Sequence, residues 1–354
     1  MCRNSNSKVN LKDLNLTELQ QLLSQLGEKP FRAEQICRWI FAKGITGFSE
    51  MTNLSKELRS KLAELAWLSS PQMAVRRQSA DGDTVKYLFT LTDGHAVESV
   101  LMKHSYGNAV CVSTQVGCRM GCLFCASTLG GLVRNLSPAE IYDQVLGIQQ
   151  DSGLRVSHIV IMGTGEPLDN YDNVLKFLAN INAPYGLNIG FRHITLSTCG
   201  LVPRMRELAR KKLPLTLAVS LHAPNDALRD QLVPINRRYK LAQLIEACHD
   251  YVNLTGRRIT FEYALLAGVN DREEHARQLI SLVKGLLCHI NLIPANPVQE
   301  RGFQRSSPAQ TERFRAILSR GGLHVTVRRE MGGDIDAACG QLRRRYEKQK
   351  PGGD

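Results

Sequence analysis

The residues with the clearest capacity for chemistry are three cysteines in one short stretch, Cys118, Cys122 and Cys125 in CRMGCLFC. Thiolates spaced this closely can surround an iron–sulfur cluster, and three of them leave one iron of a cubane open to a further ligand. The competing reading is zinc, which ordinarily takes four protein ligands and often two separated CxxC pairs. The chain has no second pair, so zinc would need a distant His or Cys. Both metals remain open at this point, and they differ in whether the site is complete or keeps a vacant position.

Other polar residues follow apolar, strand-like segments. In MGTGEP, Gly163 and Gly165 allow close backbone approach and Glu166 can accept an ammonium group. The third glycine of a dinucleotide loop is absent. Ser197 in LSTCG, Ser220, Leu221 and His222 in SLHAPND, and Asn296 in LIPANP occupy comparable positions. Barrel folds build their sites at the carboxyl ends of strands, although each of these residues alone is equally a cap or turn residue. Cys111 precedes the triad on its strand, and Cys339 lies in DAACGQ between Gly332-Gly333 and Gly340. Those glycines would let a loop carry the Cys339 thiol into a cavity, which suits covalent catalysis. Cys37, Cys199, Cys248 and Cys288 read as packing residues, and Cys2 as a terminal thiol.

CxxxCxxC at the head of a β/α series resembles the radical S-adenosylmethionine (SAM) superfamily. The resemblance implies a 4Fe–4S cluster whose open iron binds the amino and carboxylate groups of SAM and cleaves it to a 5'-deoxyadenosyl radical. Phe124, just before the last cysteine, matches the aromatic that packs there against the cofactor adenine; ordinary core packing is its other reading. More narrowly, QVGCRMGCLFCAS, GTGEP, STCG, SLHAPND, LIPANP and GGDIDAACGQL, in that order, resemble the bacterial rRNA adenine methyltransferases of the RlmN and Cfr type. The N-terminal FRAEQICRWIFAKGITGFSEMTNLSKELRSKL and the segment DGHAVESVLM extend the likeness over nearly the whole chain.

That likeness implies a substrate and a division of labour. Adenine C2, an electron-poor carbon between two ring nitrogens, cannot attack a sulfonium methyl, but a carbon radical can add to it. Two SAM molecules serve each methylation. One methylates the thiol matching Cys339, and the second supplies the radical that removes hydrogen from this S-methyl group. The resulting protein–RNA adduct is resolved by Cys111 through a transient disulfide with Cys339. Glu98 matches the proton acceptor, although its own setting in VESV reads as a solvated strand residue. Gly165, Glu166, Ser197, Ser220, Leu221, His222, Asn296 and Phe124 would bind SAM. The implied partners are 23S rRNA before ribosome assembly is complete, tRNA at the adenine beside the anticodon in some family members, and a cellular one-electron reductant. The sibling activity at adenine C8 shares these motifs; the N-terminal segment and the hairpin resemble the housekeeping C2 branch. A reading from another class is a non-catalytic RNA-binding protein with a structural metal centre.

These residues need a scaffold. Leu16, Leu19, Leu22, Leu23 and Leu26, then Phe31, Ile36, Trp39 and Ile40, recur at helical spacing, and Ser55 stands where it can cap a third helix. Residues 1–85 are therefore expected to form a helical, RNA-docking domain. From Thr84 to His104 the pattern alternates around Asp93-Gly94, which predicts a β-hairpin. Apolar strand-like runs then alternate with helical ones, predicting an α/β fold: a partial (β/α)6 barrel over residues 86–330 with the hairpin as its extension. A doubly wound open sheet is the competing architecture. Residues 331–354 form a loop bearing Cys339 and a basic tail.

With 354 residues, 43% of them hydrophobic, the chain can bury a large core. Its formal charge of +12 favours a polyanionic partner, and Arg237, Arg238 and Arg343 to Arg345 are candidate phosphate contacts. Ten cysteines are too sparse for a secreted disulfide scaffold. No apolar run approaches the roughly 18 residues of a membrane span, and the start MCRNSNSKVN lacks a signal-peptide core. A cytoplasmic protein with no membrane partner is expected.

Overall fold

The computed structural model describes residues 8–294 and 301–329 together with Gly332 and Ile335. The chain begins with β1 (Val9–Asn10), α1 (Leu16–Gln25), α2 (Phe31–Cys37), α3 (Lys56–Leu65) and β2 (Ala66–Trp67), with β1 and β2 paired in parallel. A capping box starts α1: the Asn15 side chain accepts from the Glu18 N–H, and Glu18 accepts from that of Asn15, both at 2.9 Å. Ser55 caps α3 by accepting from the Leu58 N–H at 3.1 Å. Leu19, Leu23, Ile36, Ile40, Leu58 and Leu62 turn inward. Phe31 does not: as the first residue of α2 it faces outward, 52% exposed, with the Arg32 guanidinium over its ring.

Four strands follow, β3 (Gln72–Gln78), β4 (Thr84–Thr90), β5 (Ala96–His104) and β6 (Gly107–Cys111), paired antiparallel in that order. Residues 72–78, expected within the helical unit, are thus the edge strand of the central sheet. They are polar and exposed, which is why periodicity does not mark them. The expected hairpin is β4–β5, closed by Asp93-Gly94, but it lies inside a ten-stranded sheet and β4 is buried on both faces.

The short β7 (Gln115–Gly117) and β8 (Leu132–Asn135) then pair with each other. Beyond them run α4 (Pro138–Ser152), β9 (Val156–Ile161), α5 (Tyr171–Asn182), β10 (Ile194–Thr198), α6 (Val202–Arg210), β11 (Thr216–Ser220), α7 (Asp226–Leu232), α8 (Leu241–Thr255), β12 (Ile259–Leu265), α9 (Glu273–Leu282), β13 (Cys288–Pro294), α10 (Pro308–Arg320) and β14 (Val325–Val327). From β6 through β9 to β14 every neighbouring pair is parallel and the order never reverses. A doubly wound sheet requires a reversal at its switch point; an unbroken order with a helix at each crossover is a β/α barrel, here with six crossovers and open between β14 and the hairpin.

The N-terminal unit is docked on α4 and α5. The Lys12 ammonium meets Asp143 at 2.6 Å with both side chains buried, and Ser69 donates to the other Asp143 oxygen at 2.5 Å. Tyr142 donates to the Phe41 carbonyl, and one apolar core runs through both units.

Candidate active site

The three cysteines occupy a loop whose base is closed by the β7–β8 ladder, where the Cys118 N–H donates to the Gly131 carbonyl at 2.8 Å. The Thr128 hydroxyl lies 3.1 Å and 3.0 Å from the carbonyls of Cys122 and Cys125, and Arg301 donates to that hydroxyl. The Leu123 N–H reaches the Leu232 carbonyl of α7. Cys118 and Met120 pack with Cys199, Ala223, Leu232, Val233 and Leu266 in a small apolar cluster apart from the main core. Burial pushes the Cys118 thiol up to about 12 and Cys122 in the same direction, with Cys125 adding to both. Such thiols stay protonated unless a cation offsets their charge, which is what a bound metal does. Among the described residues no three His, Cys, Asp or Glu side chains are placed to hold one metal ion. A cubane takes each thiolate on a different iron, which three cysteines in one loop can supply.

Around this loop stand the residues expected to hold SAM. Phe124 lies edge-on to His222, ring centroids 4.5 Å apart. His222, at φ +56°, accepts the Ala264 N–H at Nδ1, which puts its ring hydrogen on Nε2. Burial holds this imidazole neutral, down to about 3. The Ser197 and Ser220 hydroxyls, on adjacent strands, are 3.4 Å apart. Leu221 is fully buried and offers backbone alone, its carbonyl accepting from Arg229.

Gly163 and Gly165 both lie where neighbouring chain passes close by. A Cβ on Gly163 would lie 2.6 Å from the Val112 carbonyl, and one on Gly165, at φ +113°, 2.7 Å from Gln115. Both glycines seat this loop against the cysteine-bearing segment. Glu166 is likewise committed: it accepts the Cys199 N–H at 2.8 Å and the Leu168 N–H at 3.0 Å, and burial raises its pKa. The Cys199 and Thr198 side chains also hydrogen-bond this carboxylate. Asn296 and Cys339 lie outside the described residues, as do Arg343 to Arg345.

Cys111 ends β6 and opens onto a cleft of about 930 Å³ inside the barrel, together with Met162, Thr195, Glu262, Asn291 and Arg328. It pairs across the ladder with Val100, two residues from Glu98, so the three share one face of the sheet. Glu98, which its own sequence setting would leave in water, is 4% exposed and 3.0 Å from the fully buried Lys86 ammonium. Burial raises the Cys111 thiol, opposed chiefly by Arg328 and then by Lys86, with Glu98 adding to the rise. Glu262 accepts from Asn291 at 2.8 Å, and its carboxyl is pushed up by burial. Arg237 and Arg238 line a separate cleft beside Arg119 and Asp169.

Several of these residues carry no mark in the sequence. Lys86 in VKYLFTL reads as a solvent-facing strand residue, and Arg229 in α7 as surface charge. Arg229 is buried and donates to the carbonyls of Cys199, Ser220 and Leu221, tying β10 and β11 together beneath the apolar cluster. Cys199 belongs to the wall of the cysteine loop, which is more than general packing.

Two family models match the chain: the ribosomal RNA large subunit methyltransferase N-terminal domain over residues 9–68 and the radical SAM superfamily over residues 112–280. A probable dual-specificity RNA methyltransferase RlmN of Desulforamulus reducens is 73% identical over 99% of this chain and 100% of its own length. Its counterpart in Pelotomaculum thermopropionicum is 64% identical over 96% and 92%. The crystal structure of a radical SAM methyltransferase from Sphaerobacter thermophilus superposes with a TM-score of 0.89 at 45% identity, covering 94% of this chain and 98% of that one. With its barrel, its cysteine loop and relatives of this identity, the chain belongs to the RlmN family of radical SAM RNA methyltransferases, whose cofactors are a 4Fe–4S cluster and SAM.

Proposed function

We propose that the chain methylates C2 of an adenine in the peptidyl transferase region of 23S rRNA, through an S-methylated Cys339 and a transient protein–RNA adduct that Cys111 resolves. The observation that carries this reading is the shared face of Cys111 and Glu98: one ladder holds the thiol, which lines a chamber large enough for a nucleobase, and a carboxylate two residues from its cross-strand partner Val100. When bound, the cluster and SAM supply a carbon radical able to take hydrogen from a methyl group. Cys118, Cys122 and Cys125 hold the cluster; Glu166, Ser197, Ser220, Leu221, His222, Asn296 and Phe124 surround SAM, with Gly165 shaping the loop. Glu98 takes the proton lost from the adenine carbon, with the Lys86 ammonium 3.0 Å away to balance charge there. Once the adduct has given up its unpaired electron to the redox partner that serves the site, Cys111 as thiolate attacks the Cys339 sulfur; the carbon–sulfur bond breaks with its electron pair passing to the methylene carbon, which takes up a proton to become the methyl group, and the Cys111–Cys339 disulfide that forms is reopened by a cytoplasmic reductant.

A base can enter such a chamber only after leaving its stack, which single-stranded rRNA not yet assembled into ribosomes allows at least cost. Two SAM molecules are consumed per methyl group, one by each thioether-related step, and a one-electron reductant serves the cluster. The dual-specificity name of the relatives supports a second substrate, the adenine beside the tRNA anticodon. Among the described residues no helix is long and apolar enough to cross a membrane, in keeping with work on RNA in the cytoplasm.

The test is anaerobic incubation of reduced, reconstituted enzyme with SAM and protein-free 23S rRNA, followed by nucleoside analysis by mass spectrometry and NMR. A 2-methyladenosine product with 5'-deoxyadenosine is expected. An 8-methyl product would assign the sibling activity, and no SAM cleavage would leave only a metal-bearing RNA-binding protein.

A further inference from the structure

The cleft that contains Cys111 has a second end, and the chemistry above does not use it. Along β6 and β9 the register pairs Cys111 with Val160 and Ala109 with His158. His158 therefore sits one pleat below the thiol on the same face, roughly 7 Å along the strands. There four rings form a continuous collar. Tyr106, in the tight turn between β5 and β6, stacks on His104 with centroids 4.7 Å apart and planes 8° from parallel. Its ring meets His158 edge-on at 5.2 Å, and His158 meets His193 edge-on at 4.7 Å. His158 is fixed through both nitrogens, by Ser157 at 2.9 Å and by His193 at 3.0 Å.

The collar is rigid at its base and bare at its rim. Tyr106 is 66% exposed, the highest value among the exposed large hydrophobic residues described. Nothing in a two-residue turn calls for an aromatic side chain, since turns favour Gly, Asn and Asp. Cations ring the same mouth: Lys103, Arg192, Arg328 and Arg329 line the cleft, against Asp83 on this rim. Arg328 and Arg329 are near enough to His104 to oppose its protonation. A fixed aromatic face flanked by guanidinium groups is how single-stranded nucleic acid is held, bases on rings and phosphates on cations.

We propose that the His104–Tyr106–His158–His193 collar is a stacking platform for an unpaired base next to the target adenine, with Arg192 and Arg328 receiving the neighbouring phosphates. The proposal rests on the chain's being an RNA methyltransferase. The offset of roughly 7 Å equals about two stacked base steps, so the platform takes a base within two nucleotides of the target.

Reconstituted holoenzyme is titrated with a single-stranded loop fragment of 23S rRNA containing the target adenine, and with a fully paired duplex of equal length. Tyr106→Ala is expected to weaken loop binding about tenfold, Tyr106→Trp to restore it, and neither to alter duplex binding. In wild-type enzyme, 5-iodouridine within two positions of the target should crosslink on irradiation to the peptide containing Tyr106. Wild-type enzyme that methylates the loop while Tyr106→Ala binds it equally well overturns the platform and leaves the activity intact. A crosslink confined to distant positions overturns it too, and wild-type enzyme that binds no RNA overturns both readings.

Discussion

The two ends of the barrel are built from opposite materials. At the carboxyl end, buried thiols, Met120, Leu232, Val233 and Leu266 make a dry wall, and the polar groups there, Glu166 and Arg229, are oriented largely by backbone. At the amino end the cleft is lined by threonine, histidine and arginine, and the rim stands in water. Many closed barrels fill their centre with layers of branched apolar side chains. Here the lumen is instead an open chamber lined by polar and apolar side chains alike, and Cys111 lies in its wall. A dry end suits an oxygen-sensitive, charge-bearing cofactor, because low dielectric strengthens its few electrostatic contacts. A wet end suits a polyanion that must arrive, be read and leave.

This division makes separable predictions. Cys122→Ala should abolish cluster incorporation and methylation outright, measured as iron per chain and methyladenosine formed, while RNA affinity changes by less than about twofold; a joint loss would mean the ends are not independent. Cys111→Ala should accumulate an enzyme–RNA adduct on denaturing gels and Cys339→Ala none. Free methylated RNA in good yield from either variant would end the thioether scheme. Lys86→Met removes the buried ammonium 3.0 Å from Glu98, and breaking a buried pair from one side should cost about 3–5 kcal/mol in thermal or denaturant unfolding. An unchanged midpoint would show that this pair adds nothing to the stability of the fold.

A pH effect follows from the raised Cys111 thiol. Its thiolate is scarce at neutral pH, so release of the adduct should speed up about tenfold per pH unit toward alkaline pH, until the thiol is titrated. A flat profile in a single-turnover quench would remove Cys111 as the attacking group. The smallest effect belongs to the rim: Arg192→Ala should lower the salt slope of RNA binding by about one and weaken affinity several-fold.

Much of the barrel was legible because its strands are covered on both faces and read as near-continuous apolar runs such as HIVIMG and LTLAVSLH. The cysteine triad was equally plain, since its spacing is local. Glu98 and Lys86 were not, because alternation in VKYLFTL and HAVESV marks one inward face and cannot say that the other is covered as well. Their pairing depends on register, Lys86 opposite Val100 and Glu98 opposite Leu88, a diagonal relation that only the folded ladder creates. The close approach expected at Gly163 and Gly165 is found against Val112 and Gln115, partners distant in sequence that leave no local signal.

The buried meeting of Lys12, Ser69 and Asp143 has a mechanical meaning. Because it pins the first helical unit to α4 within a common core, that unit behaves as a fixed gauge, unlike a module hung on a tether. On the proposed function, an RNA held by both parts would have to match one set span, so folded shape as well as base identity would select the nucleotide offered to the chamber.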